Sequence, residues 1–252
     1  MARINLTAIQ ILLLASLAGA FFWVNHSRFV PGFQPDSTDY LELSHKPLLS
    51  KEALTSFRTL GYPLFLKVAQ AVTGGVEAVP LLQWTGFSAS LVLLFLAMTR
   101  LMIPFWSALV VCSWMILSDV TTGWQHNTVG TDSLGLTFAV LCVASLLLTL
   151  RSSHWLYWFL VSAFSFLAMQ IRPAYMCLLP FSTVFAFLAY SRRLGFVVSL
   201  QSRLRYAGKV FAAVAVPLLA FCTLRLVTVG DFRLVSFGGF SAMGIAGQLL
   251  TP

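Results

Sequence analysis

The sequence predicts an all-α integral membrane protein, with about seven transmembrane helices and a large first extracytoplasmic loop that contains short interfacial helices. The chain is 58% hydrophobic and only 10% charged, and its mean hydropathy is +0.85. A soluble domain of this size could not cover its surface with so few charged side chains. The one long polar interval, residues 35–63, holds four of the eight acidic residues. We therefore treat residues 1–252 as a single transmembrane module organised around that interval.

Apolar segments of near-span length recur along the chain. We assign as spans residues 6–24, 80–98, 102–118, 133–150, 155–170, 174–190 and 207–227. The first is expected to be an uncleaved anchor, and Arg3 before it places the N-terminus in the cytoplasm. All acidic residues then fall on the outer side, so the expected location is the cytoplasmic (inner) membrane, with the polar loops facing the periplasm or exterior.

The positive charge of the chain is concentrated rather than spread. The formal net charge is +8, and a dense basic group lies in and just after residues 191–206: Arg192, Arg193, Arg203, Arg205 and Lys209. Cytoplasmic loops of membrane proteins carry such an excess of Lys and Arg. The pattern predicts contact with membrane lipids, and we expect no nucleic-acid partner.

Within the polar interval, a short helix is predicted to begin near Asp36. On that helix Asp36, Asp39, Tyr40 and Leu43 share one face, because they lie at i, i+3, i+4 and i+7. Asp36 could instead act only as a helix N-cap, and Asp39 could be a solvated helix residue. Residues 63–72 then form an apolar helix of about 15 Å, half of a hydrocarbon core, which predicts an interfacial or re-entrant helix.

Charged residues from several predicted outer segments are candidates for an active site. They are Asp36, Asp39, Glu42, Arg58, Asp119, His126, Asp132 and Arg172. Carboxylates suit a divalent metal, Mg²⁺ or Mn²⁺, which is the only cofactor we predict; arginines suit phosphate. We assign Asp39, Asp132 and His126 to metal or acceptor binding. The alternatives are an interfacial His126, an Asp132 that caps its helix, and arginines that only anchor the chain at the membrane edge.

The four cysteines carry no motif. Cys112, Cys142, Cys177 and Cys222 are single and lie inside apolar spans, without metal-ligand spacing or a disulfide framework. We predict that they are small packing residues.

Three short motifs lie in order over about residues 1–190. The first runs Pro35-Asp36-Ser37-x-x-Tyr40-Leu41 and continues as Arg58-x-x-Gly61-Tyr62-Pro63-Leu64-x-Leu66. The others are Thr131-Asp132-Ser133-Leu134 and Ile171-Arg172-Pro173. Together they resemble the outer-loop motifs of GT-C membrane glycosyltransferases, which include protein O-mannosyltransferases and the aminoarabinose transferases acting on lipid A. Members of that family commonly have more spans and often a soluble C-terminal domain, so the chain is expected to be a truncated copy or a fragment.

The resemblance implies inverting transfer of a sugar from a polyprenyl-phosphate donor to a lipid, glycan or protein acceptor. Asp36 would be catalytic, as the general base toward the acceptor or by orienting it, and Asp132 would help to bind metal or acceptor. Arg58 and Arg172 would neutralise the leaving phosphate, with Tyr40 and Tyr62 beside them in the substrate site.

A non-catalytic membrane protein is the rival interpretation: a scaffold, or a transporter or flippase component for lipid-linked sugars. Transporters place ionisable residues at mid-bilayer depth. The predicted spans hold almost none, with only Lys209 and Arg225 near the ends of the last one. This pattern disfavours transport and leaves a scaffold open.

Overall fold

The computed structural model describes residues 6–25, 30–118, 124–192 and 198–235. The helices are α1 (Leu6–Asn25), α2 (Ser37–His45), α3 (Lys51–Leu54), α4 (Gly61–Thr73), α5 (Val79–Arg100), α6 (Phe105–Leu117), α7 (Thr131–Arg151), α8 (Trp155–Ile171), α9 (Leu178–Arg192) and α10 (Leu200–Val229). Two 3-10 turns lie at Trp124–His126 and Pro173–Cys177, and the strands are β1 (Gly32–Phe33) and β2 (Thr128–Val129).

Four segments are long and apolar enough to cross a membrane. They are Val79–Arg100, Thr131–Arg151, Pro173–Tyr190 and Leu200–Val229. The other three predicted spans coincide with shorter apolar helices, Ile11–Ala20, Phe105–Leu117 and Trp155–Ile171. The all-helical class is thus confirmed with four candidate spans, and the count of seven remains a prediction.

Side-chain contacts assign the helix ends to two sides of the bundle. At one side, Gln83 near the start of α5 donates to backbone carbonyls just before α7, and Thr59 donates to Ile171 at the end of α8. At the other side, Arg151 at the end of α7 donates to the carbonyl of Arg100 at the end of α5. We call the first side the acidic end, because every acidic residue that the structure describes precedes α5, starts α7 or follows α10. We call the second the basic end.

The central helix is α7, which packs against α5 and α8. Of its most apolar 18-residue stretch, 72% is buried inside the protein. The outer helices leave wide apolar faces uncovered. In the segment 173–190, only 17% of the corresponding 18-residue stretch is buried. Phe181, Val184 and Leu188 on α9 are all more than half exposed. Exposed apolar surface of this extent is suited to contact with lipid tails.

A two-residue parallel ladder joins the two polar segments at the acidic end. Gly32 pairs with Thr128 and Phe33 with Val129. Ser37 at the start of α2 strengthens the junction, because its hydroxyl donates to the Val129 carbonyl at 2.6 Å. The sequence analysis did not predict this ladder, which places the start of α2 beside the start of α7.

The third polar segment joins the same group through a glycine. A Cβ at Gly61 would lie 2.6 Å from the carbonyl carbon and oxygen of Gln170 and 2.9 Å from the backbone nitrogen of Ile171. Only a residue without a side chain allows the start of α4 to approach the end of α8 so closely. Segments 30–62, 124–132 and 170–172 therefore meet at the acidic end.

Gly61→Ala is expected to lower the free energy of unfolding by about 1–3 kcal/mol, because the added carbon meets backbone that cannot rotate away. Gly208→Ala is the matched control, since nothing lies within 4 Å of its Cβ position on α10. There the change should be neutral or stabilising by up to about 1 kcal/mol. Thermal unfolding in detergent measures both; equal melting temperatures for the two variants would contradict the close approach.

Several sequence expectations are refined or corrected here. The half-length helix is confirmed as α4, with 13 residues and an end at Gly74 in the left-handed conformation (φ 79°). Cys112, Cys142 and Cys222 are buried as predicted, whereas Cys177 is exposed and so is not a packing residue. Asp119, Arg193 and residues 236–252 lie outside the described residues.

Candidate functional site

Arg58 binds both carboxylates of the first polar segment. Its Nη2 donates to Asp36 Oδ1 at 2.5 Å, and Nε and Nη2 donate to Asp39 Oδ2 at 3.3 and 3.0 Å. The Arg58 side chain is 22% exposed, whereas those of Asp36 and Asp39 are 53% and 38% exposed. The cluster therefore lies at the protein surface with its carboxylates open to solvent.

The periodicity of α2 places these groups as the sequence predicted. Asp36 occupies the N-cap position of α2, but its side chain makes no capping hydrogen bond. Its carboxylate binds Arg58 instead, so the interpretation of Asp36 as only a helix cap is wrong. On the same helix Tyr40 and Leu43 are buried and anchor it to the protein.

The guanidinium of Arg58 is also held by aromatic rings. It lies 5.3 Å from the centroid of the Tyr40 ring and 4.9 Å from that of Phe57. Burial lowers its pKa, but the hydrogen bonds of Asp36 and Asp39 outweigh that effect, so the pKa of Arg58 is raised. Arg58 is thus a fixed, permanently charged group rather than a mobile surface anchor.

The second ion pair joins Asp132 to Arg172. Asp132 lies in the first turn of α7, whose N-cap position is taken by Gly130, and Arg172 follows the last residue of α8. Nη1 of Arg172 contacts Oδ1 of Asp132, and the two side chains are 42% and 33% exposed. Like the first cluster, this pair is reachable from solvent.

Tyr40 packs in a buried cluster with Leu134 and Ile171, which are close in sequence to Asp132 and Arg172. Burial raises the pKa of the Tyr40 phenol, whereas the charge of Arg58, a hydrogen bond from the side chain of Thr131 and the charge of Arg172 lower it. The Tyr40 ring lies 5.3 Å from the Arg58 guanidinium, and it shares a buried cluster with Ile171, the residue before Arg172. Tyr40 therefore packs beside the first cluster and near the segment that carries the second.

Tyr62, predicted to contact substrate, is instead fully buried at 0% exposure. Its ring packs edge-on against that of Tyr40, with 5.2 Å between the centroids. Its hydroxyl donates to Gln83 Oε1 over 3.5 Å, and burial raises its pKa far above the ordinary value. Tyr62 therefore packs against Tyr40, with its hydroxyl directed to Gln83 and away from solvent.

His126 is also buried, with 1% exposure, so it is not the interfacial residue of the alternative interpretation. Its ring lies 5.1 Å from that of Trp84 and 4.9 Å from that of Phe87. Its Nδ1 is 2.6 Å from the hydroxyl oxygen of Ser133. The aromatic environment indicates that His126 helps to position the start of α7.

Acidic residues farther along the first segment are solvated. Glu42 forms an exposed ion pair with Lys46 at 2.7 Å, and its hydrogen bond to that lysine lowers its pKa. Both residues, with Asp39 and Glu52, line a shallow cavity of about 200 Å³ beside Arg58. The Arg58 cluster thus opens onto a small polar depression.

The predicted divalent metal stays a prediction. Asp36 and Asp39 bind Arg58, Asp132 binds Arg172, and His126 is buried among aromatic rings. Over the described ranges, no three His, Cys, Asp or Glu side chains group closely enough to hold a metal ion. The guanidiniums hold one oxygen of each carboxylate, and we derive no step through a metal.

Two buried glutamines were missed by the sequence analysis. Gln83, at 0% exposure, donates its amide hydrogens to the carbonyls of His126 at 3.0 Å and Thr128 at 2.9 Å. A glutamine inside an apolar span can be recognised in the sequence and predicts a hydrogen-bonded contact, because a buried amide needs partners. Gln170, at 4% exposure, lies two residues before Arg172, and neither of its side-chain polar atoms has a hydrogen-bond partner within the described part of the chain.

Comparison with known proteins gave no match: no protein-family model fits the chain, and no curated protein or solved structure is detectably similar to it. The likeness to GT-C transferases therefore depends on the three motifs. The function is argued below from the geometry at the acidic end.

Proposed function

We propose that the chain is a membrane glycosyltransferase that moves a sugar from a polyprenyl-phosphate donor to a lipid, glycan or protein acceptor. The observation that carries this proposal is that the ion pairs of Asp36 and Asp39 with Arg58, and of Asp132 with Arg172, lie at the same end of the bundle, with the buried Tyr40 beside Arg58. The charges suit a substrate that is both anionic and hydroxyl-bearing. The site would face the periplasm or exterior, because the dense cluster of Arg and Lys in and just after residues 191–206 belongs to the opposite end of the bundle.

In the proposed reaction, a hydroxyl of the acceptor attacks the anomeric carbon of the donor sugar. The new bond forms from that oxygen as the bond from the anomeric carbon to the phosphate oxygen breaks, which inverts the configuration. Asp36 takes the proton of the hydroxyl, because its carboxylate is half exposed and is held in place by Arg58. Asp39 positions Arg58 through two further hydrogen bonds.

Negative charge grows on the polyprenyl phosphate as it leaves. Arg172 and Arg58 would stabilise that charge, since a guanidinium has five N–H donors and can bind a phosphate while it keeps a carboxylate contact. Asp132 positions Arg172 through their ion pair. The exposed apolar residues Leu64, Val68 and Val72 follow one face of α4, beside the site, where they would contact the polyprenyl chain or bilayer.

Sugar transfer by membranes containing the chain tests the proposal. Membranes are supplied in turn with polyprenyl-phosphate donors whose hexose or pentose is radiolabelled, and label is counted in extracted lipid, glycan and protein. We expect label transfer above that of membranes without the chain. Release or movement of the intact donor across the membrane without transfer would favour the scaffold or flippase interpretation.

Tyr40→Phe is expected to lower transfer by about tenfold, which is the effect of losing one hydrogen bond in a charged site. Burial holds the pKa of Tyr40 above its ordinary value, so the phenol stays protonated and acts as a donor throughout the neutral range. The wild-type rate should therefore show no loss from ionisation of Tyr40 between pH 7 and about 9. A pH profile of transfer for wild type and variant measures this; an unchanged rate in Tyr40→Phe would remove the hydroxyl from the site.

A further inference from the structure

One buried amide joins three elements at the acidic end. Gln83 lies near the start of α5, which is one of the four candidate spans, and its side chain is fully buried. Its Nε2 donates to the backbone carbonyls of His126 at 3.0 Å and Thr128 at 2.9 Å. Its Oε1 accepts from the hydroxyl of Tyr62 on α4 over 3.5 Å. The start of α4 and the segment before α7 are therefore both fixed to α5 through this side chain.

The two carbonyls lead to a carboxylate of each cluster. They belong to the segment that contains strand β2, and β2 pairs with β1. The hydroxyl of Ser37 donates to the carbonyl of Val129 in the same strand at 2.6 Å. Asp36 immediately precedes Ser37, and Asp132 lies three residues after β2. A displacement of β2 would therefore move both Asp36 and Asp132.

The contact with Tyr62 leads to the arginine of the first cluster. Tyr62 lies four residues after Arg58, and its ring packs edge-on against that of Tyr40, with 5.2 Å between the centroids. The guanidinium of Arg58 lies 5.3 Å from the Tyr40 ring. Gln83 is thus connected to the first cluster through two buried tyrosines and to the second through the segment that precedes Asp132.

We propose that Gln83 is a positioning residue for sugar transfer, which fixes the pair of Asp132 and Arg172 relative to Asp36. It does not contact the substrate itself, because its side chain is fully buried. The inference rests on the proposed function. Loss of the amide should lower kcat, because a displacement of about 1 Å in the reacting groups costs about 10²-fold in rate. The KM for the donor should change little, because Arg58 and Arg172 remain.

Gln83→Met tests this role, because it keeps the length of the side chain and removes both donations to the carbonyls. We expect kcat for label transfer to fall by about 10–10²-fold, with the donor KM within about threefold of wild type. The matched control is Thr149→Val, which removes a fully buried hydroxyl that lies 2.7 Å from the hydroxyl oxygen of Tyr206 at the basic end.

Both variants should lower the melting temperature, because each removes a buried hydrogen bond. Only Gln83→Met should lower kcat, and Thr149→Val should keep it within about twofold of wild type, since the basic end is remote from the site. An equal loss of kcat in the two variants would mean that Gln83 serves stability alone, and it would overturn the proposal.

Gln83→Glu tests the hydrogen bonds themselves. A carboxylate has no hydrogen to donate to the two carbonyls, whereas the protonated acid has one. The rate of this variant relative to wild type should therefore rise as the pH falls, and at the low end of the range it should exceed that of Gln83→Met. A Gln83→Glu rate that is no higher than that of Gln83→Met at low pH would contradict the proposal.

A spectroscopic measurement without substrate separates a failure of this inference from a failure of the proposed function. Fluorotyrosine is placed at position 40 alone, and its resonance should shift in Gln83→Met but not in Thr149→Val. If the wild type transfers no sugar, the proposed function fails, and the resonance alone decides whether Gln83 positions the first cluster. If the wild type transfers sugar and Gln83→Met keeps the wild-type kcat, only the present inference is overturned.

Discussion

Asp36→Asn is expected to lower sugar transfer by about 10²–10⁴-fold, because the amide cannot accept the proton of the acceptor hydroxyl. The substitution keeps the size of the side chain, and an amide oxygen can still accept from Arg58. Protein yield and melting temperature should therefore change little. The measurement is the initial rate of label transfer from the polyprenyl-phosphate donor, normalised to the amount of protein in the membrane.

Two variants on the same helix sharpen this test. Glu42→Gln removes a carboxylate whose side chain is 72% exposed and paired only with its neighbour Lys46 in the described structure, and transfer should stay within about twofold of wild type. Asp39→Asn weakens two contacts to Arg58 but leaves Asp36 intact, so we expect an intermediate loss. A wild-type rate in Asp36→Asn would remove Asp36 from its assigned role, whatever the two other variants did.

Arg172→Gln is expected to lower transfer by about 10²–10³-fold, the usual effect of removing a group that stabilises charge in the transition state. Arg172→Lys should retain part of the rate, because it keeps the charge but cannot bind phosphate in a bidentate way. The control is Arg233→Gln, which removes an arginine that is 58% exposed and lies at the same end of the bundle. Rates are compared at saturating donor, so that weaker donor binding does not account for the difference.

The pair of Asp132 and Arg172 should also act as one unit. If Asp132 only positions the arginine, the double variant Asp132→Asn/Arg172→Gln will be no slower than Arg172→Gln alone. Losses that multiply would indicate that Asp132 contacts the substrate by itself, as the sequence analysis allowed. Either outcome assigns the carboxylate a definite role.

Local periodicity explains which part of the site could be predicted from the sequence. Asp36, Asp39 and Tyr40 share a face because a helix repeats every 3.6 residues, and that rule needs no knowledge of the rest of the fold. The half-length helix α4 followed equally from ten apolar residues that end at two glycines. The apolar spans could be predicted from composition and length alone. All seven predicted segments coincide with helices, and four of these segments are long enough to cross a membrane.

Tertiary contacts explain what the sequence could not provide. The ladder between Gly32–Phe33 and Thr128–Val129 has two residues on each strand, too few for any alternating pattern. That ladder and the close approach of Gly61 to α8 decide that three polar segments meet. Tyr62 and His126 look like surface residues in polar stretches, but the fold turns both inward, against Tyr40 and between Trp84 and Phe87.

The central claim is that the two carboxylate–guanidinium clusters lie close together at the acidic end, with Tyr40 near both, and fluorine NMR can test it without any knowledge of the substrate. Fluorotyrosine is placed at position 40 alone, and its resonance is recorded in wild type, Arg58→Gln and Arg172→Gln, with Glu42→Gln as the control. We predict that both arginine variants shift the resonance and that the control does not. A shift with Arg58→Gln but none with Arg172→Gln would show that the clusters lie apart, which would contradict the proposed site.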